Sequence, residues 1–392
     1  MKYDFDKVLS REGTGALKLE VLEKRYGRRD LIPLWVADMD FETPPFIVDA
    51  LKARLKHPIF GYTVDPADYW PSVKQWIQEH HQWEVKTTWL SYIPGVVKGI
   101  GFAINALTQP GDRIIIQTPV YHPFRMTVEG NHRQVVLNPL KESHGESFYE
   151  MDFEHLERVI QGAKLFLLCN PHNPAGRVWT REELEKMNNI CMRHGVRVIA
   201  DEIHCELVMP GHEYTPFASV SKECKDNCVA LGSPSKAFNT AGLQIANIVC
   251  SNSELRRRID RAINIFEVCD VNPFGPVALE AAYTKEGERW LEELNGCIWK
   301  NYQTLKIFLA DNLPQIKVME LEGTYLAWLD IRDLGISSAE AEELLLEKGK
   351  LMLSCGTDYG QKAGEGYLRM NLACPPQLLE EGLKRMKATF AK

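Results

Sequence analysis

The sequence predicts an α/β layered fold, on three observations. Between about residues 90 and 285, short β-rich runs alternate with helical patterns, the arrangement of a mostly parallel sheet covered by helices. Several of those runs are almost continuously apolar, as strands buried on both faces are. No internal repeat, low-complexity tract or Gly/Ser linker interrupts the alternation. A chain of 392 residues is long enough for one large core of this kind and a second, smaller unit.

In chain order the strand candidates are RIIIQTP (113–119), RQVVLNP (133–139), KLFLLCN (164–170), VRVIAD (196–201), CVALGS (228–233) and ANIVC (246–250). Ahead of them, SYIPGVVKGIGFAINAL (91–107) reads as a turn opening a helix near Val96, whose free backbone N–H groups could hold an anion. Its GIGFAI stretch imitates part of a dinucleotide fingerprint but lacks the third glycine and a preceding strand, so it is discounted. Over 181–194 a helix is bounded by a Thr180-x-x-Glu183 capping box and a Gly195 stop. After about residue 285 the texture changes. A long helical pattern (287–312) leads to KVMELEGTYLAWLDI, a helix opened by Ser337-x-x-Glu340, and a final helix near 376–391. This predicts a large domain over 46–285, a smaller α+β domain over 286–392, and an N-terminal segment, 1–45, packing with the small domain.

Composition narrows the partners. With 45% hydrophobic and 25% charged residues the chain has an ordinary globular make-up. Its formal net charge of −7 gives no electrostatic support to a nucleic-acid or anionic-membrane partner. No apolar run approaches the roughly 20 residues of a bilayer span, and the N-terminus lacks the apolar stretch of a signal peptide. The expectation is a cytoplasmic protein acting on a small molecule. Its ten cysteines are scattered, without a CxxC pair, and are expected to be free thiols rather than disulfides or metal ligands. Cys224 and Cys228 have a metal-like spacing but no histidine near them in sequence, and His80-His81 reads as part of a solvated helix face. No metal is expected.

Ligands of open α/β sheets bind at the carboxyl ends of the strands, and several strand candidates end in polar groups. In order, the chain offers the N–H cradle at Val96 and Val97, Tyr121, Asn173, Asp201, and then Ser233-x-Ser235-Lys236. Singly these have bland readings: a solvated lysine, a helix start, an Asn-Pro turn. As a set they meet the needs of pyridoxal phosphate, which takes an amine at its aldehyde, a carboxylate at its ring nitrogen, a phosphate cup and a stacking face. Lys236 is the amine and Asp201 the carboxylate. Asn173 donates to the ring hydroxyl oxygen and Tyr121 lies on the ring. Ser233 and Ser235, with the N–H groups of Val96 and Val97, take the phosphate.

Longer motifs run almost end to end: LWVADMDF (34–41), FGYT (60–63), PGVVKGI (94–100), TPVYHPF (118–124), CNPHNPAGRVW (169–179), DEIH (201–204), SPSKAFNTAGLQ (233–244), GTYLAWLD (323–330) and LRMNLACP (368–375). In these the sequence resembles a fold-type I pyridoxal-phosphate enzyme of the class I/II aminotransferase superfamily, and in particular its cystathionine β-lyase (C–S lyase) subgroup, the MalY/PatB type. The resemblance implies a mostly parallel seven-stranded sheet in the large domain and a smaller α+β C-terminal domain. It also implies a homodimer with shared sites, in which Tyr62 reaches the phosphate of the neighbouring subunit. Arg369, with Asn173, would grip the α-carboxylate of an amino-acid substrate through a bidentate, charge-assisted fork.

Two positions depart from the aminotransferase pattern. Typical members carry SxSKxxxxxGxR, whose arginine pairs with the phosphate; here Gly242 is kept and Gln244 stands for the arginine. Exchanging a charged for a neutral hydrogen bond forfeits about 1–2 kcal/mol of anchoring, which the other phosphate donors can absorb. The second departure is DEIH for DE[IV]Y, so that His204 either touches the cofactor or packs beneath it. Both changes match the lyase subgroup. They imply α,β-elimination of L-cystathionine or related cysteine S-conjugates to a thiol (homocysteine), pyruvate and ammonia, with Lys236, Tyr121 and Asp201 as the catalytic residues. One alternative is a class I/II aminotransferase of an L-amino acid, which uses the same Lys, Asp and Asn. Another is a pyridoxal-phosphate-binding regulatory protein, against which the intact Lys236, Asp201 and Arg369 weigh.

Overall fold

The computed structural model describes residues 2–143, 148–268 and 270–391. Seven strands form its main sheet: β1 (Leu90–Ile93), β2 (Arg113–Ile116), β3 (Gln134–Leu137), β4 (Ala163–Cys169), β5 (Arg197–Asp201), β6 (Cys228–Gly232) and β7 (Ala246–Val249). They lie in the order β1-β7-β6-β5-β4-β2-β3. The run from β6 to β3 is parallel, while β7 is antiparallel to both of its neighbours. All six strand candidates are present; five end early where the tail turns into a loop, and 196–201 keeps its end at Asp201 but starts one residue late. β1 is the strand the sequence hides. Its burial alternates irregularly, with half-buried Ser91 and Tyr92 between buried Leu90 and Ile93, and Pro94 follows at once. A strand therefore does precede GIGFAI, against expectation, although the third glycine is still missing.

The continuous apolar runs have a simple cause. Along the central strands alternate residues enter different cores: Ile115, Phe166, Leu168, Val198 and Ala200 pack on one face, and Ile114, Leu165, Leu167, Ile199 and Val229 on the other. Each fully buried Leu, Ile or Phe stabilises by about 1.5–3 kcal/mol. Two-sided burial therefore gives the sheet the rigidity a site at its edge needs. The first face is covered by the helix Arg181–Arg193, where both hydrogen bonds of the Thr180–Glu183 capping box form. The second is covered by Val96–Leu107 and Ser253–Ile265.

Beyond the helix Lys285–Asn312, a four-stranded antiparallel sheet contains β8 (Lys317–Val318), β9 (Leu326–Asp330), β10 (Ser354–Cys355) and β11 (Tyr367–Asn371) in the order β8-β9-β11-β10. The Ser337–Glu340 capping box opens the helix Ser338–Leu344, and Pro376–Phe390 closes the chain. The N-terminal segment joins this region: Ile32–Pro33 pairs in parallel with Leu351–Met352, and Leu34, Met39 and Phe41 share a core with Leu294, Ile298 and Leu305 of the long helix.

One expectation is corrected here. His80 and His81 are not a solvated face; their side chains are only 15% and 11% exposed. The helix Tyr69–His81 buries Trp76, which stacks on His80, and its last turn folds against the loop after β5, where His81 meets Glu206. Nine cysteines are free thiols, eight of them buried; Cys269 lies outside the described residues. Among the described residues no helix is long and apolar enough to cross a membrane.

Two glycines contrast in what they tolerate. A Cβ on Gly356 would stand 2.1 Å from the Gly364 carbonyl oxygen and 2.4 Å from that of Tyr367, so the loop carrying Tyr359 closes only without a side chain. On Gly296, inside the long helix, a Cβ meets nothing within 4 Å. Gly356→Ala should lower stability by about 2 kcal/mol or more, and Gly296→Ala should raise it by about 0.5–1 kcal/mol. Urea midpoints of the two variants, at unchanged slope, measure both.

Candidate active site

A cavity of about 220 Å³ opens where β4, β5 and β6 end. Val96, Val97, Tyr121, Asn173, Asp201, His204, Ser233, Ser235 and Lys236 all line it. Residues from five separate segments are thus brought to one place, as the strand-end argument requires. Two predicted residues are not in the lining. Arg369 lies buried beside the cavity, and Tyr62 is 100% exposed. A larger cavity, about 840 Å³, lies on the side of Tyr359 facing the 357–367 loop and contains none of the predicted site residues.

Lys236 sits in the turn after β6, and its Nζ donates to the Ala37 carbonyl at 2.5 Å. Burial, helped by the nearby Arg369 charge, lowers its pKa to about 8, against the opposing pull of Asp38 and Asp201. Asp201 is the last residue of β5; burial pushes its pKa up to about 7, partly offset by the Ile203 N–H, which donates to Oδ1 at 3.1 Å, and by Lys236. Asn173 accepts from Arg369 Nη1 at 3.2 Å through Oδ1, while its backbone carbonyl accepts from the Tyr121 N–H at 3.0 Å. Arg369, on β11, also donates to the Trp35 carbonyl at 2.6 Å and lies 4.9 Å over the Tyr359 ring. Among the described residues its Nε has no partner. His204 borders the cavity. Burial and then the charges of Lys236 and Arg369 keep it neutral, and its Nδ1 is likewise without a partner among the described residues.

At the other end of the cavity the helix Val96–Leu107 begins after Gly95 (φ +150°), a conformation L side chains rarely adopt, and no side chain caps it. Its leading N–H groups are therefore free for an anion. Ser233 is less available: its hydroxyl donates to the Ile245 carbonyl at 2.6 Å and accepts from the Ser235 N–H at 3.1 Å, which fixes the turn before Lys236. Ser235 lines the cavity half-buried. Gln244 also lines it, though exposed, and accepts from Lys98 Nζ at 3.1 Å. Lys98 is a residue that the sequence reading missed. It stands in the first turn of the helix, where a cation opposes the macrodipole. That misplacement is the signal that could have found it. It returns to this end of the cavity the positive charge that Gln244 gives up.

The segment 35–41 was also missed as part of the site. Its carbonyls hold Lys236 and Tyr325 (Ala37), Arg369 (Trp35) and Asn371 (Val36 and Asp38), while Asn239 clasps Met39 and Phe41. The donor and acceptor set fits pyridoxal phosphate. Among the described residues buried Asp201 is in no ion pair, where a protonated ring nitrogen would fit; the Lys236 amine, its pKa lowered, shares the cavity, and the uncapped helix start with Lys98 suits a phosphate.

Residues 29–386 match the family described as aminotransferase class I and II. The chain belongs to that family. Within it, this class I and II aminotransferase family member is 43% identical over 390 residues to the cystathionine β-lyase PatB of Bacillus subtilis strain 168, covering 99% of this chain and 100% of that one. Two solved structures are similar throughout. Cystalysin from Treponema denticola, which contains a pyridoxal 5'-phosphate cofactor, superposes with a TM-score of 0.95 at 36% identity, covering 99% of this chain and 98% of that one. The pyridoxal-phosphate-bound C–S lyase from Staphylococcus hominis gives 0.90 at 33%, covering 100% and 99%. The family member described here has the same fold-type I architecture.

Only a neutral amine attacks an aldehyde. The rate at which cofactor-free protein captures added pyridoxal phosphate should therefore rise with pH through about 8, where Lys236 loses its proton, and level off above. Arg369→Met, which removes a charge that depresses that pKa, should move the midpoint upward. Stopped-flow absorbance reads both, and a rate flat through that range contradicts the assignment of Lys236.

Proposed function

We propose that the chain is a pyridoxal-phosphate-dependent C–S β-lyase, cleaving L-cystathionine or related cysteine S-conjugates by α,β-elimination to a thiol, pyruvate and ammonia. The observation that carries this is an intact set of Lys236, Asp201 and Asn173 around one cavity, with Arg369 at its edge, in a chain 43% identical end to end to a cystathionine β-lyase.

When bound, the cofactor supplies an electron sink for the pair left on Cα after its proton is removed. The chain's residues do the rest. Lys236 would hold the cofactor at its aldehyde, and its burial-lowered pKa would let its amine accept the Cα proton near neutral pH. Asp201 would keep the ring nitrogen protonated, and Tyr121, in the cavity wall, would offer the ring a stacking face. Arg369, already fixed by Asn173, Trp35 and Tyr359, presents its fork to the α-carboxylate and so aligns the Cα–H bond with Lys236. The C–S bond then breaks with its electron pair on sulfur, and the proton carried by Lys236 is available to the departing thiolate. One water is consumed overall as pyruvate and ammonia form.

Transamination of an L-amino acid would use the same groups but return the proton to the cofactor and release no thiol. Pyruvate release from L-cystathionine by cofactor-loaded protein, with no keto acid added, separates the two. Steady, equimolar pyruvate and thiol are expected. Silence until a keto acid is supplied would reassign the chain as an aminotransferase.

The same reading includes a homodimer. Tyr62 lies fully exposed in a run with Ile59 (67%), Phe60 (54%) and Val64 (77%), and Ile265 and Phe266 are exposed as well. An apolar run this exposed is the signature of a surface made to be covered, and Tyr62 is not in the lining of its own cavity. The free thiols support a reducing, cytoplasmic location. Lys236→Ala should abolish turnover and Tyr62→Ala should weaken cofactor retention. A purified hybrid of the two chains should hold one complete site and run at roughly half the wild-type rate. If Tyr62 served its own chain, that hybrid would have no complete site, and the rate would stay at the Tyr62→Ala level or below.

A further inference from the structure

Apart from the cavity of Lys236, a polar cavity of about 400 Å³ opens at the end of the helix Tyr69–His81, with Cys205, Glu206, His212 and Tyr214 in its wall. Three unlike donors converge there: His81 Nε2, Cys205 Sγ and a Glu206 carboxylate oxygen lie within 4.8 Å of one another. Glu206 Oε1 is their meeting point, 3.0 Å from His81 Nε2 and 3.6 Å from Cys205 Sγ. These groups are also held in place. Trp76 Nε1 donates to the same oxygen at 2.6 Å while its ring stacks on Tyr283, and the His81 ring stands edge-on to Tyr214. Side-chain exposure is only 11% for His81 and 9% for Glu206. The elimination chemistry uses none of them.

An imidazole nitrogen, a thiolate and a carboxylate oxygen are together a zinc donor set; magnesium and calcium take oxygen ligands and leave sulfur alone. Around tetrahedral zinc such donors stand about 3.4–3.6 Å apart. The two spacings to Glu206 Oε1 are close to that, and the third pair, His81 with Cys205, lies within 4.8 Å. We propose that His81, Cys205 and Glu206 form a zinc site, with the fourth position facing the cavity, where His212 stands in the wall. On binding, the Cys205 thiol releases its proton to solvent and becomes the ligand. The expectation of no metal came from cysteine spacing, which cannot register donors that lie more than a hundred residues apart in the chain.

The placement gives the ion a structural effect. His204 borders the Lys236 cavity and its neighbour Cys205 borders this one, so zinc fastens the loop that follows Asp201 to the end of the helix Tyr69–His81. Chelator-treated, cofactor-loaded protein, dialysed against zinc chloride, should take up one zinc per chain and unfold at a higher temperature when zinc is present. Cys205→Ser, which keeps a small hydroxyl donor beside Glu206, should weaken uptake by more than roughly tenfold while retaining the cofactor's absorbance. His81→Gln should do the same, and magnesium chloride should produce no uptake. Lack of saturable zinc binding would overturn the proposal. So would equal zinc affinity in wild type and both variants, or equal uptake of magnesium.

Discussion

Keeping water away from Lys236, Asp201 and Arg369 at once is the constraint around which the rest of the structure is arranged. An ion taken out of water without compensation costs several kcal/mol, and here three such groups share one small volume. Burial, with the Arg369 charge nearby, moves Lys236 toward its neutral form, and burial moves Asp201 toward its protonated one. Among the described residues neither group is in an ion pair, although Asp38 and Asp201 pull on Lys236 from nearby. Arg369 is better supplied, with the Trp35 carbonyl, the Asn173 side chain and the Tyr359 ring around it. The imbalance defines what is to be bound: a molecule with a cationic ring nitrogen for Asp201, an electrophile for Lys236 and a phosphate for the far end.

The two sheets divide the work of meeting that constraint. The seven-stranded sheet is buried on both faces, so the ends of β4, β5 and β6 are fixed relative to one another, and Asp201, Asn173 and Lys236 inherit that rigidity. The smaller sheet brings Arg369 on β11. Segment 35–41 lies between them and bonds to both, through Ala37 to Lys236 and through Trp35 to Arg369. The Arg11 and Lys18 ion pairs to Asp38 and Asp40 anchor the segment in turn, with Lys18 completely buried.

Which parts of this were legible in the sequence depends on the kind of group involved. The roles proposed for Lys236, Asp201, Asn173 and Tyr121 belong to side chains whose chemistry is their label, and strand ends gather them. Ala37 and Trp35 act through backbone carbonyls, which every residue has, so nothing at those positions announces a role. Ser233 looked like a phosphate ligand because its hydroxyl is visible in the sequence and the Ile245 carbonyl that accepts its proton is not. β1 escaped because its middle residues are only half-buried and blur the strand pattern. His81 and Glu206 escaped because their meeting is wholly tertiary: the burial of Trp76 decides it, and no local spacing records that.

The carbonyls of residues 35–37 have a consequence for how the protein comes into being. They lie far along the chain from their partners: Ile32–Pro33 pairs with Leu351–Met352, and the Trp35 carbonyl accepts from Arg369, 334 residues away. A nascent chain can assemble its large sheet and even present Lys236, but the carbonyl that aims this lysine has no fixed place until the C-terminal strands have been made. Closing so long a loop is slow, since the entropy of joining distant segments is lost before their contacts form. Until residues 35–37 are docked on those strands, the Lys236 amine has no Ala37 carbonyl to fix its direction.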